Sequence, residues 1–292
     1  MMISTITESL YAQQPTDTLY HYTSLNGVLG IVGSRVLWAS DIRYMNDSAE
    51  LRHTADLVKD EVEMRLGQGH DHPRLLNSFI EWVRHRITNG HILFGASFRS
   101  NGNLLSQWRG YSSVGKGASL GFNADHVRQC AKEQHFRLGQ CVYDRQEQRR
   151  LIAQVVDAVD TLAVQTGSID SDGEPEQYFG VFEHLETDLL RIAAILKHPS
   201  FEEEQEWRLV SPVISNYREA NVYFREGRTM LVPYMQFSLV HNNNPAIAMD
   251  HIYLGPTPNI SLSMNSMKMC LLKHGISPER GIDYCQIPYR QR

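Results

Sequence analysis

Long stretches of helical periodicity lie between blocks of short, strand-like runs, and this arrangement limits the folds open to the chain. In "MNDSAELRHTADLVKDEVEMRL" (residues 45–66), Leu51, Ala55, Val58 and Val62 recur at the spacing of one helix face. Asp47 and Glu50 resemble a capping box at its start. After the polar loop "GQGHDHP", Leu76, Ile80, Val83 and Ile87 mark a second helix. The two are expected to form an antiparallel hairpin, each large buried apolar side chain contributing ~2 kcal/mol. A third helix is expected from Gln146 to Gln165. Beyond the acidic loop "GSIDSDGEPE", a fourth carries Phe179, Phe182, Leu185, Leu189, Ile192 and Leu196.

Strand signals flank these helices. Leu19–Tyr22 and "VLWAS" (Val36–Ser40) precede them, while "GASLGF" (Gly117–Phe122) and "FRLGQCVYD" (Phe136–Asp144) lie between them. "HILFGASF" (His91–Phe98) is apolar enough to be buried on both faces. The last third adds "EWRLVSPV", "NVYFRE", "TMLVPYMQF", "HIYLG" and "IDYCQIPY", with a helix near Ser261 to His274. No linker or internal repeat divides the chain. The pattern predicts an N-terminal tail (1–18) and a single α+β domain (19–292), with helical insertions at about 47–88 and 146–197.

With 42% hydrophobic residues in 292, a sizeable core is available, and disorder is expected only in the first dozen residues. The net charge of −5 argues against nonspecific nucleic-acid binding. Cys130, Cys141, Cys270 and Cys285 lack CxxC spacing, which suits a reduced chain without a disulfide framework. With no secretory signal or long apolar run, a cytoplasmic protein without membrane association is expected.

Between the first two strands, Ser24 is placed to cap a helix with Leu25, Val28, Leu29 and Val32 on its apolar stripe. Gly27, Gly30 and Gly33 are spaced as GxxGxxG rather than GxGxxG, which predicts close packing and not a dinucleotide-binding turn. "GKG" at Gly115–Gly117 is too short for a P-loop, although Lys116 could meet a phosphate. His53, His70 and His72 lack the spacing of a metal site.

Three stretches carry candidate chemistry. "HYT" (His21–Thr23) ends the first strand. "SQWRGYS" (Ser106–Ser112) gathers Gln107, Trp108, Arg109 and Tyr111 where neither a strand nor an amphipathic helix is evident. An aromatic platform, a guanidinium and an amide suit a planar or phosphorylated ligand. In "FEEEQEWRLV" (Phe201–Val210), an early strand start places Glu204, Glu206 and Arg208 on one face, with Trp207 and Leu209 turned into the core. A carboxylate beside arginine stays ionised, as a site stabilising a developing cation requires.

Together, "YHYTSLNGVLGIV…VLWAS…RYMND", "SFRSNGNLLSQWRGYS…GASLGF", "KHPSFEEEQEWRLV" and "IPYR" resemble a widespread bacterial family known mainly as a domain of unknown function. That family is distantly similar to the ADP-ribosyltransferase superfamily. The resemblance implies a pair of small, mainly antiparallel sheets forming a cleft for NAD, which is consumed as a substrate without a metal. It implies His21 and either Glu206 or Glu204 as catalytic residues, and an aromatic partner among Tyr22, Tyr44 and Tyr111. Ser97 corresponds to the Ser-x-Ser strand of other branches, but Arg99 replaces the second serine. Thr23, Gln107 and Trp108 complete the implied pocket, with Arg109 or Arg208 at the pyrophosphate. The expected activity is ADP-ribosyl transfer or NAD hydrolysis, in a toxin, effector or defence component. The acceptor, macromolecular or small, is left open. The alternative expectation is a catalytically inactive nucleotide-binding or protein-interaction module on the same scaffold.

Overall fold

The computed structural model describes residues 2–45, 49–111, 117–167, 178–227, 229–241 and 246–286. Asp47, Lys116, the acidic loop at 168–177 and the terminal "IPYR" lie outside them, as do the side chains of Glu50, Ile87 and Tyr111.

The chain opens with α1 (Ile3–Leu10), β1 (Leu19–Ser24), α2 (Leu25–Ser34) and β2 (Val36–Asp41). The hairpin α3 (Ala49–Gly67) and α4 (Pro73–Asn89) leads to β3 (Phe94–Arg99), α5 (Leu105–Tyr111), β4 (Gly117–Phe122), α6 (Ala124–Glu133) and β5 (Arg137–Gln140). Helices α7 (Arg145–Gln165) and α8 (Phe179–Ala193) precede β6 (Glu206–Val210), β7 (Val222–Glu226) and β8 (Leu231–Ser238). The described chain ends with β9 (Met249–Leu254), α9 (Ile260–Lys273) and β10 (Ile282–Tyr284).

The α+β class and the long helices agree with the sequence reading, but two local expectations need correction. The first dozen residues are not disordered: α1 buries Ile3 and Ile6, and Tyr11 donates its hydroxyl to the Arg191 carbonyl of α8. The "SQWRGY" segment is helical, a single short element whose helix signal spans too few residues to be periodic. Ser24 caps α2 as expected, accepting from the Gly27 amide at 3.1 Å.

The expected pair of sheets is not present. All ten strands among the described residues join one sheet in the order β10-β9-β4-β1-β3-β2-β8-β7, with β6 pairing β3 and β5. Only the β9–β10 pair is parallel among the described residues. The shared strand is β3. One of its edges pairs along its length with β6, from Gly95↔Val210 to Arg99↔Glu206. Its other edge is divided: β1 meets it at Tyr20↔Arg99, and β2 at Ser40↔Gly95 and Asp41↔Phe94. Six residue pairs hold β1 to β4 and five hold β2 to β8, so the two strands splay apart over the middle of β3.

Each face of the sheet has its own core. Phe94, Ala96, Phe98, Trp207 and Leu209 point toward the layer of α2, α6 and α9. The other face, under β5 and β6, meets a helical layer built from α1, α3, α4, α7 and α8 around Phe79, Val156, Phe182 and Ile195. No helix among the described residues is long and apolar enough to cross a membrane.

Candidate functional site

The gap between β1 and β2 opens a cleft of about 620 Å³. Its floor is the middle of β3, where Ser97 and Arg99 turn their side chains to one face and Gly95 leaves that face open. One wall is β1 with the start of α2, the other is β2 with Arg225 reaching in from β7. Gly27 and Gly30 line the α2 wall; Gly27 is also packed tightly against Thr23, whereas Gly30 has no close neighbour, so the expected close packing holds at Gly27 and not at Gly30.

His21 replaces a missing ladder contact. Its Nδ1 donates to the Ser97 carbonyl at 3.0 Å, at the point where β1 has left β3. Burial holds the imidazole pKa below its ordinary value, nearby Arg99 adds to the effect, and the bond to Ser97 only partly opposes it. A neutral ring facing a carbonyl through Nδ1 must carry its proton there, which leaves Nε2 as an acceptor.

Behind Ser97 and Arg99 lies a buried charge cluster. Glu206 Oε1 accepts from Ser97 Oγ at 2.5 Å and from Arg208 Nε at 2.9 Å. Its Oε2 lies 2.6 Å from Lys197 Nζ and 3.2 Å from Arg99 Nη1. Glu204 bridges the same two cations, at 2.7 Å from Lys197 and 2.6 Å from Arg99. Burial alone would raise the Glu206 pKa, but Arg208, Arg99 and Lys197 outweigh it and hold the carboxyl well below the usual range. Arg208 Nη1 also donates to the Ala194 carbonyl at 2.7 Å, tying β6 to the end of α8.

The sequence-predicted residues therefore divide into two groups. His21, Thr23, Tyr44, Ser97 and Gln107 line the cleft together. Tyr22 borders it too, but its ring packs against Trp108 and its hydroxyl donates to the Asn101 carbonyl. Glu206, Glu204 and Arg208 share one cluster as expected, yet none of them lines the cleft. Glu204 sits in a 3-10 turn (Pro199–Glu204) rather than in the strand. Trp108 is not an exposed platform: it is fully buried against Tyr22, and its Nε1 donates to Asn103 Oδ1. Arg109 is exposed on α5 and away from the cleft, and the Tyr111 side chain is outside the described residues.

Four further residues matter. Lys197 completes the cluster, and Trp38, Arg99 and Arg225 line the cleft. Alternation along "VLWAS" puts Trp38 and Ser40 on one face, a signal present in the sequence. Nothing in the sequence shows that β7 brings Arg225 beside them, where its Nη2 donates to Ser40 Oγ at 3.2 Å. The buried Gln107 Oε1 has no hydrogen-bond partner among the described residues.

Residues 107–209 match a family model described as a protein of unknown function, DUF2971. The similarity is to a family without an assigned activity. The matched segment takes in Gln107, Lys197, Glu204, Glu206 and Arg208, while His21 and Trp38 lie outside it. No curated protein and no solved structure matches the chain. No match ties it to ADP-ribosyltransferases.

Proposed function

We propose that the cleft between β1 and β2 binds a nucleotide-type anion, with NAD as the first candidate. The make-up of the walls carries this reading. Arg225 and the Thr23 hydroxyl face the gap, Arg99 borders it with its guanidinium paired to Glu204 and Glu206, and no carboxylate among the described residues lines it. Guanidinium groups favour phosphate oxygens through charge-assisted hydrogen bonds. The Nε2 lone pair of His21 suits a ribose hydroxyl as donor.

A second reading, ADP-ribosyl transfer or NAD hydrolysis, draws support from the bond between Ser97 and Glu206. In that reaction the nicotinamide–ribose bond breaks, nicotinamide leaves with the electron pair, and an acceptor or water captures the ribosyl cation. Glu206 has no surface in the cleft. Its charge reaches the wall through the Ser97 hydroxyl, which its carboxylate polarises.

Incubation of purified protein with labelled NAD, alone and with cell lysate, tests both readings. Ser97→Ala and Glu206→Gln variants are first checked by thermal melts. Nicotinamide release that falls in both variants supports the transferase or hydrolase. Binding by calorimetry without release supports the binding module. If no nucleotide binds, the proposal fails.

A further inference from the structure

We infer that Trp38 is the stacking platform for a flat heteroaromatic ring carried by the cleft's ligand. The inference rests on the nucleotide reading above and extends it to a named residue. The indole of Trp38 is stacked on Tyr234 with ring centroids 4.5 Å apart and 30° between planes. Tyr234 is stacked in turn on Tyr223, at 5.7 Å and 30°. Three successive strands, β2, β8 and β7, thus present a row of rings. Tyr234 covers Trp38 from the β8 side, and the other side of β2 is the gap where it departs from β3.

The half-exposed indole therefore lines the cleft with its orientation already set by a neighbour, so stacking a ligand ring costs it little rotamer freedom. Trp38 is 50% exposed, whereas Trp82, Trp108 and Trp207 are at most 6% exposed. Arg225, on the same strand face as Tyr223, enters the cleft beside Ser40. A cation next to a stacking surface matches a ring joined to a phosphate. A nucleobase and the pyridine ring of nicotinamide share this chemistry, and the ligand panel separates them.

The test is fluorescence titration of the full chain, with calorimetry in parallel. Because the other three tryptophans are buried, quenching of the solvent-exposed emission reports on Trp38. The probes are AMP, nicotinamide mononucleotide, NAD, free adenine, free nicotinamide and the ring-free control ribose 5-phosphate. Ring-bearing nucleotides are expected to quench this emission, and ribose 5-phosphate is not. Trp38→Ala should weaken nucleotide binding about tenfold without changing ribose 5-phosphate binding, and Trp38→Phe should restore most of it. The stronger of AMP and nicotinamide mononucleotide names the stacked ring.

Nucleotide binding that is unchanged in Trp38→Ala overturns the inference and leaves the nucleotide site standing. Quenching by free rings without any gain from phosphate keeps the platform and overturns the nucleotide reading. No binding and no quenching by any probe overturns both.

Discussion

Glu206 has no exposed surface and still remains ionised, because Arg208, Arg99 and Lys197 surround its two oxygens. Lys197 bridges Glu204 and Glu206, so removing it takes a charge-assisted hydrogen bond from each carboxylate while Arg99 and Arg208 still balance their charge. Lys197→Met should therefore destabilise the protein by about 1.5–3 kcal/mol, read from denaturant unfolding. The cluster also predicts a pH dependence. An unfolded glutamate titrates near 4.5, and folded Glu206 titrates lower. Its stabilisation is complete above that unfolded value and is lost as pH falls from there toward the folded pKa. Wild type should weaken below about pH 4.5, while Glu206→Gln, weaker at neutral pH, should lose less over the same interval. A parallel decline in the two proteins would show that other carboxylates dominate. Sequence alternation correctly placed Glu206 and Arg208 on one face. It could not reveal that a lysine beyond α8 would close the cage and withdraw the carboxylate from the cleft.

At the scale of the element, α2 shows how one repeat serves two purposes. A Cβ at Gly27 would fall 1.9 Å from Thr23 Oγ1, whereas at Gly30 it would meet nothing within 4 Å. Gly27→Ala should then cost about 1–3 kcal/mol through forced displacement of Thr23, and Thr23→Ala should recover part of it. Gly30→Ala should stabilise the helix by up to about 1 kcal/mol, since alanine has the higher helix propensity. Thermal melts of the three variants check both signs. The capping serine of α2 was legible because it depends on neighbours within a turn, but the expected stripe was half right: Val28 and Val32 are buried with Ile31, while Leu25 and Leu29 are exposed. The cleft-facing role of its glycines was not legible, because it depends on where β1 and β2 diverge.

At the scale of the whole molecule, the sheet core and the helical core are joined at the charge cluster. Arg208 donates to the Ala194 carbonyl, and nearby the Val142 amide donates to the Ile195 carbonyl while the Val142 carbonyl accepts from the Lys197 amide. Unfolding should be a single transition, with tryptophan fluorescence and far-UV circular dichroism coinciding. Trp82 reports from the helical core, and Trp108 and Trp207 from the sheet side. Two separated transitions would show that the layers unfold independently. By itself the sequence determined the α+β class, the long helices and most strands, because periodicity and capping are local properties of the chain. It also marked His21 and Glu206 as polar residues in unusual settings, while Ser97 came only from the family resemblance. Only the tertiary structure decided that β3 joins all strands into one sheet, that Trp108 is buried while Trp38 faces the cleft, and that Arg225 enters it. Those outcomes depend on pairing between strands far apart in the chain. Residue spacing along one strand records which face a side chain takes, but not which strand will lie beside it.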